Sequence, residues 1–204
     1  MSVLFELFPH NVHELHRDLE PYLDLFTRDE SKRALERYIV GLLSKAPKKN
    51  CQGIADTIIG TSAQRLQELL TNTNWDEQTF NTRRIRHLSK DFACPDGSIV
   101  IGDATIPKQG RSSAGVGMQY STTLGKTINC QILVGLQYAD LWNTWPINIR
   151  LYLPDEWAGD LKRCRKAHIP KDIQFNSKSN IALKLLDIAD DAGVPHKTVV
   201  FNLD

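Results

Sequence analysis

Apolar positions recur at three- and four-residue spacing through the first ninety or so residues, then change to short runs and alternations. Leu15, Leu19, Tyr22, Leu23 and Phe26 fall on one face of a helix, and Leu35, Tyr38, Ile39 and Leu42 do the same over 31–44. A short helix is expected over 50–58. Gly60-Thr61-Ser62 breaks it, and Ser62 is placed to cap a helix through Leu70. Asn74-Trp75-Asp76 opens a further helix through Arg86, with Asp76 as its cap. The pair over 50–70 is compatible with a helix-turn-helix, and equally with a plain helical bundle.

The pattern changes at Pro95-Asp96-Gly97. Ser98 to Asp103 is a short apolar run after a turn and predicts a buried strand ending at Asp103. Residues 106–126 are rich in Gly, Ser, Thr and Lys and predict a loop or irregular hairpin. Residues 127–137 form a second strand, 146–153 a third, and 157–167 a short helix or turn. Residues 180–192 carry Ile181, Leu183, Leu185, Leu186 and Ile188 and predict a helix ending at Gly193, followed by a last strand at 198–201. The chain is therefore expected to be α/β, with a helical region over 1–92 followed by β-β-β-α-β over 93–204.

Composition narrows the class. The 204 residues are 41% hydrophobic and 24% charged, enough for a sizeable core. No apolar run approaches the roughly 18–20 residues of a membrane span, so no membrane partner is expected. The first residues lack the basic start and small-residue site of a signal peptide, which makes a cytoplasmic protein the expectation. Four widely spaced cysteines without a CxxC pair exclude a zinc ribbon. The net charge is only +1, but basic clusters stand at 45–49, at Arg83, Arg84 and Arg86, and from Lys162 to Lys171. Each reads as a solvated face or as a phosphate contact.

Among candidate chemical groups, Asp103 stands out because an acid at a strand end is rigidly held and can offer oxygens to a hard cation. Alone, it reads more readily as a capping or turn aspartate. His10, His13 and His16 recur every three residues without an acid or cysteine to complete a metal site. Trp142, Trp145 and Trp157 fit core packing better than base stacking. Ser112, Ser113 and Cys130 lie in no nucleophile elbow, and no phosphate-binding Gly-x-x-x-x-Gly-Lys loop is present.

The segment Asp103-Ala-Thr-Ile-Pro-Lys-Gln-Gly-Arg-Ser-Ser-Ala-Gly-Val-Gly-Met-Gln-Tyr120 resembles DDE transposases of bacterial insertion sequences, the DDE superfamily endonucleases. The likeness continues at 124–131, at Arg150-Leu-Tyr-Leu-Pro-Asp-Glu-Trp157 and at Ala192-Gly-Val-Pro195, and reaches upstream to 38–51 and 74–76. It implies the first half of a ribonuclease H-like fold and strand cleavage and joining of DNA at element ends, with Mg²⁺ or Mn²⁺ held by three carboxylates. Asp103 matches the first carboxylate, and Ala104 stands where relatives often carry a second acid. The family's next aspartate falls on Asn202 by counting from Ala192, and Asp204, two residues on, is the expected acid. The third, a glutamate on a later helix, has no counterpart. Lys108, Arg111, Arg83, Arg84 and Arg86 become expected DNA contacts. The resemblance further implies a nucleoid-associated bacterial protein, active or a truncated copy, that forms homo-oligomers or pairs with a full-length transposase. The alternative is a catalytically inactive DNA-binding regulator of transposase descent.

Overall fold

The computed structural model describes residues 12–202 except 122, 123, 172 and 174. They divide into two units between Arg83 and Arg84, a boundary inside one continuous helix.

The first unit is helical: α1 (Val12–Leu23), α2 (Asp29–Leu43), α3 (Cys51–Thr57), α4 (Ala63–Thr71) and the first half of α5 (Glu77–Phe92). Polar caps set where three of these begin. Asn50 Oδ1 accepts from Gly53 N at 2.8 Å, Ser62 Oγ from Arg65 N at 3.2 Å, and Asp76 Oδ1 from Thr79 N at 2.9 Å. Each satisfies a backbone donor that the first helical turn leaves unpaired. Two small cores hold the helices together. Phe26, Ala34, Leu35 and Leu69 form one, joined by Trp75 and Phe80, and Val40, Ile54, Ile58 and Leu66 the other. The second needs Gly41, since a methyl group there would overlap the Ile54 side chain.

The second unit follows in the order β1 (Ser98–Pro107), β2 (Gly117–Ser121), β3 (Lys126–Ala139), β4 (Thr144–Leu151), α6 (Asp155–Ala158), α7 (Leu161–Lys166), α8 (Lys178–Asp191) and β5 (Thr198–Asn202). Strand β3 pairs antiparallel with β1, and also with β2 through 126–130 and with β4 through 133–139. Strand β1 pairs in parallel with β5. The resulting five-stranded sheet is mixed. Alternation along the strands buries Ile99, Ile101, Val134, Leu136, Tyr138, Trp145 and Ile147 on one face. There they pack with Ile181, Ala182, Leu185 and Ala189 of α8 and with Ile85 of α5.

Two expectations change. Strand β1 does not stop at Asp103. Its pairing with β3 continues through Asp103 opposite Val134 to Pro107 opposite Cys130. Of the two readings open for the polar stretch, loop or irregular hairpin, its end takes the second: β2 pairs antiparallel with β3, Ser121 opposite Lys126. Trp142 is 89% exposed at the β3–β4 turn, whereas Trp145 and Trp157 are buried as expected. Among the described residues, no helix is long and apolar enough to cross a membrane.

Candidate active site

Asp103 is positioned by two different pairings of one strand. Among the described residues the parallel ladder with β5 runs to Gly102, opposite Asn202. Asp103 follows Gly102 on β1 and is held by β3, opposite Val134. It continues the alternation of Ile99 and Ile101, so it lies on the core face where α8 begins. Its side chain is only 11% exposed, and the Lys178 ammonium donates to Oδ2 at 2.5 Å. Lys178 is the first residue of α8 and follows Ser177, whose hydroxyl accepts from Asn180 N at 3.1 Å. A carboxylate so far removed from water needs a cation or several donors, and Lys178 provides the cation. Local sequence carries no signal of this partner, because 75 residues separate the two and the helix is expected to start at 180.

The segment after Asp103 is fixed by side chains of β3. Asn129 Nδ2 donates to the carbonyls of Lys108 at 2.7 Å and Gly110 at 2.9 Å, and Gln131 Nε2 donates to that of Ala114 at 2.5 Å. Lys108 is half-buried and Arg111 exposed. Behind this segment, Trp157 is fully buried and donates from Nε1 to the Val116 carbonyl at 2.7 Å.

The three arginines of α5 have separate fates. Arg83 is bidentate with Asp24, at 2.5 and 3.0 Å, and the guanidinium holds that carboxyl below its ordinary value. Arg84 donates to the Pro146 and Ile147 carbonyls of β4 at 2.7 and 2.5 Å. Arg86 is exposed. Asp204, His10 and the His13 side chain lie outside the described residues. His16 faces Glu36 at 3.3 Å. The cysteines are free thiols, and burial pushes that of Cys130 up.

The family model of DDE superfamily endonucleases matches residues 21–202. The chain belongs to that family. It is also similar to a probable transposase for insertion sequence element IS701 of Microchaete diplosiphon, with 27% identity over 146 residues. That match covers 71% of this chain and 38% of that protein, so the chain spans well under half of its relative. No solved structure matches it.

DDE superfamily endonucleases generally use divalent metal ions, so the residues present can be weighed against one. Among the described residues of this family member, no three histidine, cysteine or acidic side chains come together as a metal cage. Asp103 fits as a single ligand. It is a hard oxygen donor, fixed in position, at a place where a positive charge is already required.

Proposed function

We propose that this DDE superfamily endonuclease is a DNA transposase that cleaves and joins strands at insertion-sequence ends. Its sheet unit would form the first half of a ribonuclease H-like fold. The placement of Asp103 supports the reading: an acid that the sequence resemblance aligns with the family's first carboxylate, on a strand flanked by a parallel partner and on the face where a helix begins. A β-β-β-α-β order around an antiparallel β3 supports the fold assignment, with β2 as an addition within the β1–β3 connection.

A divalent ion bound here would polarise a phosphodiester and favour a nucleophile at neutral pH. Asp103 would hold it together with Asp204. Lys178 keeps the Asp103 carboxylate in one orientation and offsets its charge. Lys108, Arg111 and the exposed Arg86 would take DNA phosphates, an attraction that weakens with salt. In this reading the protein works on DNA in the bacterial cytoplasm, as an oligomer.

The test is Mg²⁺- or Mn²⁺-dependent nicking of DNA carrying the element's ends, with Asp103→Ala as the comparison. Nicking by the wild type that falls by at least about 10³-fold in the variant supports the reading, since a ligand to the reacting ion acts in the transition state. Equal nicking by both removes Asp103 from the chemistry. End binding without nicking by either protein favours a regulator of transposase descent.

A further inference from the structure

The cluster from Lys162 to Lys171 has no part in the site described above. Residues 161–171 carry five lysines and arginines and no acid, with Asp160 and Asp172 flanking them. The segment 107–121 carries Lys108 and Arg111 and again no acid. One residue joins the two stretches. Arg163 turns inward from α7, stacks on Trp157 at 3.8 Å from the ring centroid, and donates to the carbonyls of Val116 at 2.9 Å and Arg111 at 3.3 Å. Cys164, Ala167 and Ile169 pack beside it on the small core of Val116, Leu153 and Trp157. The opposite face of α7 is Lys162, Arg165 and Lys166, all exposed. The nearby acids are partly engaged. Asp160 Oδ1 accepts from the Lys162 and Arg163 backbone N–H groups at 3.1 and 2.9 Å, and Glu156 faces Arg163 at 4.0 Å.

The helix is thus amphipathic in an unusual sense. Its inward face uses one arginine for anchoring, and its outward face carries three exposed cations, of which Arg165 also donates from Nε to the Leu161 carbonyl at 3.2 Å. The anchor holds α7 against the segment carrying Arg111, at the end of β1 toward which Asp103 lies, because Gly117 and Pro107 both pair with Cys130. We propose that Lys162, Arg165 and Lys166 form a ridge that binds the phosphate backbone of duplex DNA and continues the path through Arg111. This proposal rests on the transposase reading above for its choice of DNA. A backbone-binding ridge is indifferent to base sequence, so it would set how DNA lies at the site rather than which ends are chosen.

The experiment measures binding of the full chain to a random-sequence 20-base-pair duplex by fluorescence anisotropy over a range of salt. The triple variant Lys162→Gln, Arg165→Gln, Lys166→Gln is compared with the wild type and with Lys90→Gln, Lys184→Gln, Lys197→Gln. Thermal unfolding verifies that both variants fold. Each phosphate contact adds about 0.9 to the slope of log affinity against log salt, so the ridge variant should lose about 2–3 from that slope. Its affinity at low salt should fall on the order of 100-fold, while the comparison variant stays near the wild type. An unchanged slope in the ridge variant, or an equal loss in the comparison variant, overturns the ridge. Tighter binding of an RNA hairpin, with the same loss on substitution, assigns the ridge to RNA and overturns the choice of DNA. A wild type that binds no duplex at all overturns the transposase reading itself.

Discussion

At the scale of single residues, the pair of Asp103 and Lys178 decides how the sheet tolerates an acid on its core face. With side chains 11% and 18% exposed, each ion depends on the other for charge balance. Lys178→Met should cost about 1–2 kcal/mol of stability in urea unfolding, less than the cost for a fully buried pair because some water reaches both groups. Adding Asp103→Asn should recover part of the loss, since the unpaired carboxylate is then gone, and the two changes should be clearly non-additive. Asp140 and Tyr138 give a pH dependence of defined sign. The Trp142 backbone N–H, aided by that of Asn143 and by the Tyr138 hydroxyl, lowers the pKa of Asp140 from its ordinary 3.8. A lowered value contributes stability above the unfolded pKa, and that stability is lost as pH falls through the folded value. Burial raises the pKa of the Tyr138 phenol above its ordinary 10.0, so its contribution is complete below that pH and declines as pH rises beyond it. Tyr138→Phe should flatten the alkaline decline of the melting temperature, and Asp140→Asn the acid one.

At the scale of elements, caps and close approaches define the boundaries. Ser177→Ala removes the cap that starts α8 and should cost about 1 kcal/mol, read in thermal or urea unfolding. Gly97→Ala should cost more, about 2–3 kcal/mol, because the added methyl would overlap the Tyr138 ring where the chain enters β1. The helices were legible in the sequence because their signals are local: Ser62 and Asp76 cap where spacing placed them. Strands β3 and β5 were legible as apolar runs. What stayed hidden depends on partners distant in the chain. The stretch of β2 stood open as loop or irregular hairpin and is settled by its pairing with β3, and β1 extends past Asp103 for the same reason. Asp103 was found through its neighbours in sequence, but Lys178 and the anchoring role of Arg163 are products of folding. The arginines of α5 show the converse. The family resemblance made them expected DNA contacts, and in the fold Arg83 and Arg84 are engaged with Asp24 and with β4 carbonyls.

At the scale of the molecule, the described residues leave one flank of the sheet open. Among the described residues β5 pairs only with β1, and Val200 and Phe201 are 46% and 57% exposed. An unpaired strand edge with apolar side chains invites another strand or chain. Light scattering should detect association that grows with concentration, and Val200→Lys should suppress it. The family assignment covers 21–202 and so embraces both units, while the similar transposase extends far beyond the aligned region. The proposed chemistry, however, turns on one carboxylate. Mn²⁺ binding to the chain, followed by electron paramagnetic resonance with Asp103→Asn beside the wild type, tests it. Binding should be saturable and weaken at least about tenfold in the variant. Equal binding by both proteins would remove Asp103 from the metal site.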